Sequence, residues 1–90
     1  MLTILEFTAD WCGACKILEP IVQDVLKEHQ DVVFSKVDVD SDEQNYCGTY
    51  SVKNIPTLIF EGKDKEFFQR VVGTTTKDNI NNIINSYKNG

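Results

Sequence analysis

The chain has no apolar run approaching the ~20 residues that a helix needs to cross a bilayer, so no membrane partner is expected. Cations are in the minority: nine Lys and Arg stand against fourteen Asp and Glu, a net charge of -5. Nonspecific nucleic-acid binding needs cations that displace phosphate counterions, so no nucleic-acid partner is expected either. The charge keeps a chain soluble and is silent about its fold. Five glycines and two prolines are too few for a fibrous or low-complexity chain. Three cysteines make a poor disulfide framework, because one is always left over. No basic, apolar leader is visible, since the opening stretch Met1-Leu2-Thr3-Ile4-Leu5 meets Glu6 too early for a signal core. The expected address is therefore cytoplasmic. In such a reducing compartment a cysteine pair more often serves catalysis or metal binding than structure. Ninety residues suit a single domain, 1–90, with one modest core.

Apolar patterning predicts the elements. Residues 2–7 read as a buried central strand. A helix is predicted from about residue 12 toward 29, with Ile17, Ile21, Val22, Val25 and Leu26 at helical spacing. Pro20 cannot donate to the carbonyl of Lys16, which predicts a kink rather than an end, because the apolar stripe resumes at once. Residues 32–39, rich in Val with Phe34, predict a second strand, parallel to the first across a right-handed crossover. A short helix is predicted over 43–50. Strands beginning at 55 and spanning 66–72 form a hairpin around the turn 62–65. Thr75 and Asp78 approximate a capping box for a last helix that places Ile80, Ile83, Ile84 and Tyr87 on one face. The asparagines of that helix form helices poorly, so tertiary packing must hold it. The order β-α-β-α-β-β-α implies an α/β fold, a four-stranded mixed sheet with helices on both faces.

Cys12 and Cys15 lie two residues apart where the first long helix begins. A helix N-terminus offers free N–H groups and partial positive charge, which favour thiolate over thiol. The thiolate is the nucleophile, so Cys12 is the candidate for attack. Cys15, one turn further in, is close enough to form a disulfide with it. A zinc site built from Cys12, Cys15, Cys47 and His29 is the competing reading, but there is no second paired spacing of ligands, and no metal or other cofactor is expected. His29 near the helix end reads as a C-terminal cap rather than a catalyst. Cys47 reads as a small, semi-buried thiol, with a regulatory disulfide as the alternative.

Four stretches in order resemble the thioredoxin family: Trp11-Cys12-Gly13-Ala14-Cys15-Lys16 with Pro20 beyond it, Lys36-Val37-Asp38-Val39-Asp40, Val52 followed by Ile55-Pro56-Thr57, and Val72-Gly73. A lone C-x-x-C is weak, whereas four motifs in register are specific. The resemblance is to short thioredoxins that open directly at the central strand, without the usual preceding strand and helix. It implies a thioredoxin fold and a protein-disulfide reductase in which Cys12 attacks and Cys15 resolves. It also implies a cis peptide before Pro56 and a client-binding surface of Trp11, Gly13, Ala14, Ile55, Pro56 and Gly73. Partners implied are disulfide-bearing client proteins and a thioredoxin reductase as electron donor, with the chain itself a monomer.

Two departures stand at the site. Ala14 replaces the usual proline, so the helix start is less rigid and the potential is expected to be less reducing. Glu6 replaces the usual buried aspartate; burial raises a carboxyl's pKa and suits it to take a proton from Cys15, with Lys36 as the expected nearby cation. Glutaredoxin-like glutathione chemistry is disfavoured by Trp11-Cys12-Gly13. A structural binding module on the same fold stays open at this level. An oxidising disulfide donor would need an extracytoplasmic address, and none is visible.

Overall fold

The computed structural model describes residues 1–90. Strand β1 (Thr3–Thr8) is followed by helix α1 (Gly13–Glu28), strand β2 (Val33–Asp38), the short helix α2 (Tyr46–Thr49), strands β3 (Thr57–Gly62) and β4 (Phe67–Val72), and helix α3 (Lys77–Asn89). The strands form one sheet in the order β2-β1-β3-β4. β1 runs parallel to β2 and antiparallel to β3, and β3 pairs antiparallel with β4. This is the mixed, four-stranded α/β architecture that the sequence pattern predicts.

Alternation along β1 sorts its residues between two cores. Leu2 and Ile4 point to one face, where they join Leu58 and Phe60 beneath Leu18, Val22 and Val25 of α1 and Ile80, Ile84 and Tyr87 of α3. Leu5 and Phe7 point to the other face and pack with Val37 and Ile59, against which Cys47 and Tyr50 rest. Both faces therefore carry helices, two long ones on one side and the short α2 on the other. Glu6 shares the face of Ile4 and lies in the layer between β1 and the helices. No helix is long and apolar enough to cross a membrane.

Several local expectations are corrected. The buried stripe of α1 is Cys15, Leu18, Val22 and Val25, while Ile17 is 64% exposed. Two adjacent apolar residues offer two registers, and packing on the sheet selects Leu18. As the resuming apolar stripe predicts, α1 does not end at Pro20, which is exposed, so the donor missing at this position lies on the solvent side. α2 starts at Tyr46 rather than residue 43, because Asn45 adopts a left-handed φ of 56° and the Asp42 carboxylate accepts the N–H groups of Tyr46 and Cys47 at 2.9 and 2.8 Å. The cap of α3 is Thr76, whose hydroxyl accepts the Asn79 N–H at 3.1 Å; Thr75 instead accepts from the Asn79 side chain, and no Thr75–Asp78 box forms. His29 does occupy the C-cap of α1, and its ring Nε2 meets Asn81 Oδ1 at 3.0 Å, tying α1 to α3.

Candidate active site

The site begins where β1 hands over to α1. Cys12 is the N-cap of α1, in an extended conformation, and its sulfur accepts the Cys15 N–H at 3.2 Å. A sulfur in this position occupies the place of a capping oxygen and faces the unsatisfied donors of the first turn. The Cys12 N–H in turn bonds the Ala9 carbonyl at 3.2 Å, which fixes the loop to the end of the strand. Cys12 and Cys15 form a disulfide with their Cα atoms 5.3 Å apart. Both are buried, Cys15 at 2% exposure and Cys12 at 7%, so Cys12 is the residue nearer to solvent. Gly13 is exposed and Ala14 half-buried. Ala9, Cys12 and Cys15 form a small cluster on which Ala14, Val39 and Ile55 pack.

Ile55 enters that cluster through the loop before β3. The Ile55–Pro56 peptide is cis, as the resemblance implies. The Pro56 carbonyl accepts the Gly73 N–H at 2.8 Å, which places Gly73 beside this loop at the end of β4. Gly73 has φ +91°, a region that side-chain-bearing residues rarely adopt, and a Cβ there would meet nothing within 4 Å. Within this chain, glycine is required here for its backbone conformation rather than for lack of room. Trp11 is 69% exposed, and its indole N–H donates to Asp40 Oδ2 at 2.7 Å. Asp40 sits in the turn after β2, where its own N–H is held by Asp38 Oδ1 at 2.9 Å. An exposed tryptophan next to the nucleophile is thus pinned by a carboxylate, a role for Asp40 that sequence reasoning did not assign.

Glu6 is fully buried, and no hydrogen-bond partner reaches either carboxylate oxygen. Burial pushes its pKa up to about 8; the nearby Glu19 carboxylate adds in the same direction and Lys36 opposes. Lys36 stands opposite Glu6 in the β1–β2 register. Its ammonium, however, pairs with Glu19 Oε1 at 2.7 Å. Lys36 is thus the expected nearby cation, acting on Glu6 through its charge while its ammonium bonds Glu19, and Glu19 joins the site. The available signal was its spacing: Glu19 follows Cys15 by four residues and so shares its face of α1.

Cys47 lies half-buried on the opposite face of the sheet from Glu6, its thiol pushed up by burial and by Asp42. Cys12, Cys15, Cys47 and His29 do not gather into a cluster that could hold a metal ion.

The family profile described as Thioredoxin matches residues 1–86. A thioredoxin of Chlamydia pneumoniae is 37% identical over 86 residues, which span 96% of this chain and 82% of that protein. Among solved structures, chloroplastic thioredoxin z superposes with a TM-score of 0.87 at 26% identity, covering all of this chain and 80% of the other. A mutant thioredoxin from Halobacterium salinarum gives 0.81 at 38% identity, over 96% of this chain and 74% of the other.

Proposed function

We propose that this chain, which belongs to the thioredoxin family and is a thiol–disulfide oxidoreductase, keeps protein thiols reduced and supplies electrons to reductases that turn over through a disulfide. The observation that carries this reading is Cys12 at the N-cap, with its sulfur on the Cys15 N–H and Cys15 within bonding distance. In the reduced protein the Cys12 thiolate attacks a client disulfide. A Cys12–client S–S bond forms, and the other client sulfur leaves as a thiolate that takes a proton from water. Cys15 then attacks the Cys12 sulfur, closing the intramolecular disulfide and releasing the second client sulfur. Two electrons pass to the client.

Glu6 is the group that takes the Cys15 proton, with Lys36 adjusting its charge environment. Trp11, Gly13, Ala14, Ile55, Pro56 and Gly73 form the rim against which client backbone lies. The protein works as a monomer in the cytoplasm, as one domain, re-reduced by a thioredoxin reductase, and Ala14 makes it less reducing than a proline would.

Insulin supplies the test of client class. With dithiothreitol as donor, the wild-type protein is expected to accelerate precipitation of the insulin B chain. Cys15→Ser, offered insulin and oxidised glutathione together, is expected to accumulate a mixed disulfide with insulin. A variant found only as its glutathione adduct would assign the protein to glutathione chemistry instead.

A further inference from the structure

Three charged side chains meet at the layer between β1 and α1, and their pairing is not the simplest one. Glu6 is buried with both oxygens unbonded. Lys36 stands on the neighbouring strand, in register with it. Glu19 takes the ammonium instead, at 2.7 Å, and is itself steadied by the Gln23 side-chain amide at 3.2 Å. Glu19 and Lys36 line an open pocket of about 160 Å³ together with Cys15 and Lys16, so the ion pair and the resolving cysteine share one cleft. The β3 residue paired with Glu6 is Leu58, which brings no charge. The charged groups acting on Glu6 are therefore Glu19 from α1 and Lys36 from β2.

We propose that Glu19 is a positioning residue that withholds Lys36 from Glu6 and thereby lets Glu6 hold, in the disulfide form, the proton that it exchanges with Cys15. The claim rests on the reading of Glu6 as the proton partner of Cys15. A lysine bonded directly to Glu6 would stabilise its carboxylate and deprive it of a proton to give back. With the ammonium held by Glu19, the carboxyl keeps its proton in the disulfide form. When a dithiol donor attacks Cys12, a donor–Cys12 bond forms, the Cys12–Cys15 bond breaks, and the Cys15 sulfur leaves with the electron pair. Glu6 supplies the proton to that thiolate. In the forward direction Cys15 returns it to Glu6 as its sulfur bonds Cys12. The direction of both carboxyl shifts agrees: Glu6 is raised, chiefly by burial, while Glu19 is lowered because its bonds from Lys36 and Gln23 outweigh its partial burial.

The test follows the Glu6 side-chain carboxyl by carbon-13 NMR across pH in the oxidised protein, with Glu6→Gln assigning the signal. In Glu19→Gln the freed ammonium turns to the unbonded oxygens, and the Glu6 midpoint is expected to fall by about one pH unit or more, a tenfold change in proton affinity. In the double variant Glu19→Gln with Lys36→Met, which leaves no cation to turn, the fall is expected to be clearly smaller than in Glu19→Gln alone. A Glu19→Gln midpoint that is unchanged or higher overturns the proposal, as does an equal fall in both variants. The pH profile of insulin reduction is recorded beside it. If the midpoint falls but the profile does not follow, the role of Glu6 toward Cys15 is rejected while the claim about Glu19 stands.

Discussion

Cys12→Ser is expected to lower the rate of insulin reduction by on the order of 10³-fold or more, to the level set by dithiothreitol alone. A serine hydroxyl is scarcely ionised at neutral pH and leaves no sulfur for Cys15 to bond, so both halves of the exchange stop. The substitution is gentle on the fold for a structural reason. Cys12 sits at an N-cap and accepts the Cys15 N–H, a task that serine performs well. Its thermal midpoint should therefore lie near that of reduced wild-type protein. A rate within about tenfold of wild type would assign catalysis to another group, whereas a collapsed midpoint would show that the sulfur was structural.

Glu6 produces the second large effect, on stability rather than rate. Its folded pKa of about 8 exceeds the ordinary carboxylate value of 4.5. Between those two pH values the folded protein holds a proton that the unfolded chain has released. Stability therefore falls as pH rises through this window and levels off above it. The whole loss is on the order of 5 kcal/mol if the shift is fully expressed. Glu19 has its pKa lowered, so its contribution is present above the ordinary carboxylate value and is lost only in more acid solution, outside the window. Lys36, raised above 10.5, loses its contribution only far into the alkaline range. Urea unfolding of the oxidised protein at a series of pH values from 5 to 9 reads this directly. Wild type should weaken steadily with pH, and Glu6→Gln, which cannot ionise, should be flatter and the more stable of the two at pH 9. Parallel curves for the two proteins would mean that Glu6 titrates like an exposed carboxylate.

How far the sequence reaches is shown by which residues it placed correctly. β1 and the start of α1 were legible because continuous apolar character and a C-x-x-C pair are local signals, and the cis Pro56 loop was legible only through its resemblance to a family. Glu6 was placed inward only through that resemblance, as the counterpart of the family's buried aspartate. The bonding partner of Lys36 was not legible, because the choice between Glu6 and Glu19 depends on how α1 lies across β1 and β2. Asp40 escaped for the same reason: 29 residues separate it from Trp11, and no period connects them. The start of α2 is set by Asp42 reaching forward four and five residues, whereas a propensity reading weighs each residue where it stands. Ile17 and Leu18 are equivalent in composition, and the sheet alone distinguishes the exposed one from the buried one.

The central claim is a reversible two-electron exchange confined to Cys12 and Cys15. Equilibration in graded mixtures of reduced and oxidised dithiothreitol, followed by acid quenching, alkylation under denaturing conditions and mass measurement, tests it most directly. The expected result is a single transition between a protein carrying one alkyl group, on Cys47, and a protein carrying three, with no species carrying two at any poise. A mass that stays constant across the series, or a transition that consumes Cys47, would contradict it.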